Sequence, residues 1–142
     1  MTPVEEVQRW VSRVVVGLDL CPFARQPLEN DQIRFVESRA EQEADLLAEM
    51  VHEFDLLASD QPEAETTLMV IPRLLRGFDR FMDAVAMCEA LIEQLHLTDT
   101  FQLAHFHPDY RFANADADDP ANHTNRSPHP CIHILRWGDV RN

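Results

Sequence analysis

The chain has 142 residues, 45% hydrophobic and 26% charged, ordinary usage for one globular domain. Such a length buries roughly 68% of its unfolded surface, enough for a core without staples. Twelve Lys and Arg against 25 Asp and Glu leave a net charge of −13, and no apolar run approaches the roughly 20 residues of a membrane span. That balance repels phosphate backbones and anionic lipid, so neither nucleic acid nor membrane is expected as a partner.

Thr2, Pro3 and Glu5 supply a cap, a first-turn proline and the acidic partner of a capping box. Val4, Val7, Val11, Val14 and Leu18 recur at helical spacing beside Trp10, which predicts an amphipathic helix over 3–18, stopping between Gly17 and Pro22. Residues 33–37 read as a short strand. Ser38 and Glu41 suggest a second capping box. After it, Ala44, Leu47, Val51, Phe54 and Ala58 predict a helix of about five turns, ended by Gln61-Pro62. Residues 66–71 are apolar on both faces toward their end, as in a central strand. Phe78, Phe81, Val85, Cys88, Ile92 and Leu95 define a third helix. Residues 101–107 form a strand with Phe101, Leu103, His105 and His107 on one face, and 131–136 a last strand that groups Cys131, His133 and Leu135.

The order α-β-α-β-α-β-loop-β predicts an α/β (α+β) fold, a single domain over 1–142. Its four-stranded mixed sheet carries helices packed mainly on one face. Right-handed crossovers would make the first three strands parallel neighbours. The last would then join antiparallel at an edge, open to pairing with another copy. Between Pro108 and Pro130 lies a connection of more than 20 residues, rich in Asp, Asn and Pro. Loops this long in compact domains are usually functional or disordered, and this one carries Tyr110, Phe112 and the run Thr124-Asn125-Arg126-Ser127-Pro128.

Cys21, Cys88 and Cys131 are widely spaced and form no CxxC pair, which argues against a disulfide framework or a four-Cys zinc site. No basic and apolar leader with a cleavage site opens the chain, so a reducing cytoplasm is the expected location. Cys21 sits after a helix and before a proline, where a thiol serves as a nucleophile, a metal ligand or a small buried hydrophobe. Cys88 lies on an apolar stripe and reads as core. His105 and His107 share a strand face at a spacing some metal sites use, but a third ligand would have to come from His133, Cys21 or a loop Asp. The plainer reading is a strand-end histidine bonded to backbone; His107 as general base is the third. Asn122, Asn125, Arg126 and Ser127 form a dense donor set suited to a carboxylate or phosphate, against the alternative that they brace a turn. Asp116, Asp118 and Asp119 lack the glycine and terminal Glu of a calcium loop and read as a solvated turn. No glycine-rich phosphate loop, GxSxG elbow or HExxH occurs.

The runs Arg9-Trp10, Gly17-Leu18-Asp19-Leu20-Cys21-Pro22-Phe23-Ala24, Glu65-Thr66-Thr67-Leu68, Phe101-Gln102-Leu103-Ala104, Phe106-His107-Pro108-Asp109-Tyr110 and Thr124-Asn125-Arg126-Ser127-Pro128 together resemble a bacterial family, domain of unknown function 1415. The resemblance runs from near Trp10 to Arg136 and brings no assigned activity. It implies that Cys21, Pro22, His107, Pro108, Tyr110, Asn122, Asn125, Arg126, Pro128 and His133 belong to the motif. By the same resemblance, His105, His123 and His129 stand where family members carry other residues. It also implies that family members continue past the last strand, so a chain ending at Asn142 is expected to be without their C-terminal helical extension.

The leading expectation is a small cytosolic enzyme acting on an anionic small molecule. Cys21 would be nucleophile or redox thiol, His107 its acid or base and Tyr110 a hydrogen-bond donor. Asn122, Asn125, Arg126 and Ser127 would anchor the substrate. One alternative is a metal-binding protein using Cys21, His107 and His133. Another is a non-catalytic binding or interaction module in which these residues lock the long loop. The sequence names no cofactor.

Overall fold

Cys131, Ile132, His133, Ile134 and Leu135 are each no more than 5% exposed, so the last strand has layers on both faces. The computed structural model describes residues 1–16, 33–59, 66–111 and 125–136, the side chains of 14–16 excepted. It contains α1 (Pro3–Trp10) continued by a π-helical stretch (Val11–Val16), β1 (Ile33–Glu37), α2 (Glu43–Leu57), β2 (Thr66–Val70), α3 (Phe78–Gln94), β3 (Phe101–Phe106) and β4 (Cys131–Arg136). This is an α+β arrangement on a four-stranded mixed sheet.

The strand order is β1-β2-β4-β3. β1 and β2 run parallel, and β4 lies antiparallel to both β2 and β3. The first three strands therefore share a direction, but β3 is not a neighbour of β2, and β4 is central rather than at the expected edge. The burial of β4 supplies the reason: a strand apolar on both faces needs cover on both and is lost at an open edge. The connector after β3 is long enough to let the chain return between β2 and β3.

Alternation along the strands divides the core in two. On one face, α2 and α3 pack Leu46, Met50, Phe54, Phe81 and Val85 against Met69, Ile132, Ile134 and Phe101. On the other, Val7, Trp10 and Val11 cover Ile33, Leu68, Val70, Phe106 and Cys131. Trp10 meets Phe106 edge to face, with ring centroids 5.2 Å apart. Two described α-helices thus share one face and α1 takes the other. No described helix is long and apolar enough to cross a membrane.

Local signals fare unevenly. Thr2 caps α1 as expected, its hydroxyl accepting from the Glu5 N–H at 3.1 Å. Beyond Trp10 the α-helix widens into a π-helix, in a stretch crowded with β-branched valines, which pack poorly in α-turns. The Ser38–Glu41 box does not form. Ser38 instead donates to Glu49 Oε1, while its own N–H donates to the Val70 carbonyl and its Oγ accepts from the Ala40 N–H. The buried stripe of α2 is Leu46, Met50, Glu53, Phe54 and Leu57, turned from the one the spacing predicts, with Ala44 exposed. The turn follows Glu53, which is 2% exposed and paired with Arg34.

At the end of α3, His96 adopts φ 59°. The Leu97 N–H donates to the Ile92 carbonyl and the His96 N–H to the Glu93 carbonyl, a Schellman closure without glycine. Cys88 is fully buried, as its stripe implies.

Candidate functional site

The register places Val70, Phe106 and Cys131 side by side, so the carboxyl ends of β2 and β3 and the start of β4 meet at one end of the sheet. In open sheets of α/β type, ligands gather outside the carboxyl ends of strands. Three connections leave or enter here: the turn into α3, residues 107–111 after β3, and residues 125–130 before β4. Backbone groups stitch them together. The Ile71 N–H donates to the Pro130 carbonyl at 2.8 Å, the His107 N–H to the Asn125 carbonyl at 3.0 Å and the Tyr110 N–H to the His107 carbonyl at 3.1 Å.

Side chains reinforce the stitching. Asn125 Nδ2 donates to the His105 carbonyl at 3.1 Å, so this residue grips the outer edge of β3 through both its backbone and its amide. Arg126 Nε donates to the Tyr110 carbonyl at 3.0 Å. Ser127 Oγ donates to the His129 carbonyl, which also accepts from Cys131 Sγ at 3.1 Å. Burial pushes the Cys131 thiol up to about 12, against a smaller opposing pull from Ser127. At that value the thiol stays protonated and unreactive at neutral pH.

His107 is the most enclosed of the expected site residues, with no exposed surface. Its Nδ1 accepts from the Asp109 N–H at 2.9 Å, and its Nε2 lies 2.9 Å from the Leu75 carbonyl. A backbone N–H can only donate and a carbonyl can only accept, so the ring proton is on Nε2. Both nitrogens are spent on backbone groups. Phe78 and Phe81 pack against the ring at 5.5 and 4.9 Å. Tyr110 is buried, its ring stacked on His105 at 5.6 Å and edge-on to Phe78 at 5.2 Å. Burial raises the Tyr110 phenol above its ordinary value.

The structure thus brings His107, Tyr110, Asn125 and Arg126 together, with Ser127 turned toward His129. It does not bring His133 to them. Register pairs His133 with Leu68 and Ala104 on the α1 face, where its Nε2 lies 3.0 Å from Thr66 Oγ1, whereas His107 packs on the α3 side. Among the described residues no group of three or more His, Cys, Asp or Glu is placed to hold a metal ion. Cys21, Pro22 and Asn122 lie outside the described residues, as do Asp116, Asp118 and Asp119.

Beside this lattice opens a cleft of about 380 Å³, lined by Pro72, Arg76, Pro108, Asp109, Pro128, His129 and Pro130. That volume lies in the range of small-molecule sites. Four of the lining residues are prolines, which contribute no backbone N–H to these walls. Sequence reasoning passes over Arg76 and Asp109. The signal for Arg76 was a cation between a strand and a helix in a chain with few of them.

Leu75, immediately before Arg76, has φ 65°. For a bulky residue this is a strained conformation, of the kind that gathers at functional positions.

The comparisons agree with the resemblance read from the motifs. The chain belongs to the family described as protein of unknown function DUF1415, whose model matches residues 2–142. No curated protein and no solved structure matches the chain.

Proposed function

We propose that the protein binds a small molecule bearing an anionic group in the proline-walled cleft, with Arg76 as the counter-charge. The observation that carries this reading is convergence. The Phe106–Tyr110 and Thr124–Pro128 motif blocks, which lie apart in sequence, both contribute to the cleft, and the strained Leu75 turn delivers a cation to the same place. Arg76 is exposed, and among the described residues its guanidinium makes no ion pair or hydrogen bond. A guanidinium there can meet a carboxylate or phosphate in bidentate fashion.

Catalysis by a Cys21–His107 pair has less support than binding, because His107 holds both ring nitrogens on backbone groups. Arg126 as the anchor has less support than Arg76, because its Nε is committed to Tyr110.

The test is a thermal-shift screen of small phosphates, sulfates and carboxylates against the wild type and Arg76→Gln. A native-state ligand stabilises by mass action, about 2.7 kcal/mol at 100 times its Kd. At least one anion should raise the melting temperature of the wild type and leave Arg76→Gln unmoved, while the unliganded proteins melt together. A screen without a stabilising anion, or a shift that survives the substitution, rejects the proposal.

A further inference from the structure

We infer that His107 is a positioning residue for this cleft, a neutral imidazole brace that ties its two charged walls to each other. The inference rests on the proposed anion site, since Arg76 and Asp109 are the walls it positions. One wall ends at Arg76, directly after Leu75, whose carbonyl accepts from His107 Nε2 at 2.9 Å. The other carries Asp109, whose N–H donates to His107 Nδ1 at 2.9 Å. The two contacts leave opposite sides of one rigid ring, so a single planar group sets the spacing between segments separated by more than 30 residues. Both are made to backbone, and therefore hold whichever ligand is present.

The strain at Leu75 says why a brace is needed. A leucine at φ 65° relaxes unless its surroundings hold it there. The buried ring, wedged between Phe78 and Phe81, is the group that grips its carbonyl. Release of that bond lets the turn move and carries Arg76 with it. Asp109 is exposed, and among the described residues its carboxylate makes no ion pair or hydrogen bond. Its place on the cleft is therefore fixed through its backbone.

Two substitutions separate the two arms of the brace. In His107→Asn the amide oxygen stands near the place of Nδ1 and retains the Asp109 contact, but the side chain is too short for Leu75. In His107→Gln the amide nitrogen stands near the place of Nε2 and retains the Leu75 contact alone. Without ligand, the Leu75 arm is read as the rate of native-state tryptic cleavage after the exposed Arg76 and the Asp109 arm as hydrogen exchange in a peptide covering 107–111, with the thermal shift in inorganic phosphate read beside them. His107→Asn should be cleaved roughly tenfold faster after Arg76 and keep 107–111 protected; His107→Gln should show the reverse. His107→Asn should lose most of the phosphate shift, and His107→Gln, which keeps the Leu75 bond that seats Arg76, should retain it.

Equal acceleration of cleavage and exchange in both variants, no acceleration of either, or a global loss of protection in both would overturn the brace. The last of these is how a mere packing residue behaves. A split between the cleavage and exchange responses, in a protein whose wild type ignores phosphate, would uphold the brace and remove the anion site.

Discussion

His105, His107 and His133 differ in how the fold spends their nitrogens. His107 bridges two backbone segments. His105 stacks on Tyr110 with a buried Nδ1 that has no hydrogen-bond partner among the described residues, and burial lowers its pKa against a weaker opposing pull from Glu89. His133 is 2% exposed beside Thr66, and burial pushes it down to about 4. An unfolded chain takes up a proton at His133 near pH 6.5, while the native state refuses it until about 4. The stability is therefore complete above pH 6.5 and is lost as the pH falls toward 4. At about 1.4 kcal/mol per pKa unit this amounts to roughly 3 kcal/mol. Urea melts from pH 7 to pH 4 should show His133→Gln losing less stability than the wild type across that window. Parallel slopes for the two proteins would mean that the buried imidazole does not govern acid sensitivity.

Among the described elements, α2 has an orientation that depends on a charge. Glu53 is almost fully buried and accepts from Arg34 Nε at 3.0 Å and from Thr67 Oγ1 at 3.1 Å. It thereby ties α2 to β1 and β2 at once. Arg34 keeps a side-chain exposure of 44%, so water already screens the pair and its net contribution is modest. Removal of the cation is another matter, because the carboxylate stays buried with a hydroxyl as its partner. Arg34→Met should cost about 2 kcal/mol, below the cost for a fully buried pair, and Glu53→Gln placed in that background should recover part of it. A double-mutant cycle measures the coupling, and a value near zero would show that packing alone seats α2. At the far end of the helix, Arg136 donates to the Leu57 carbonyl, a cation on the helix C-terminus.

For the molecule as a whole, the decisive event is the entry of β4 between β2 and β3, which brings the returning connector onto the turn after β3. Arg126 joins the two through the Tyr110 carbonyl. Arg126→Ala should therefore lower the melting temperature by a few degrees, the effect of losing roughly 1 kcal/mol from a domain of this size, and leave the anion response of the cleft in place. An unchanged melting temperature with a lost anion response would return Arg126 to the role of ligand anchor.

Period and composition made the described elements legible: the strands at 33–37, 66–70, 101–106 and 131–136 fall within a residue of where alternation and apolar runs put them. They also pointed to the motif blocks that meet around the cleft. Those are local properties, written by the repeat of side chains along one segment. Strand order, the face that His133 occupies and the inward turn of Glu53 are not local, because each depends on which distant segment lies alongside. The same holds for His107: spacing put it at the end of a strand, but only packing decided that both its nitrogens would be taken up by Leu75 and Asp109.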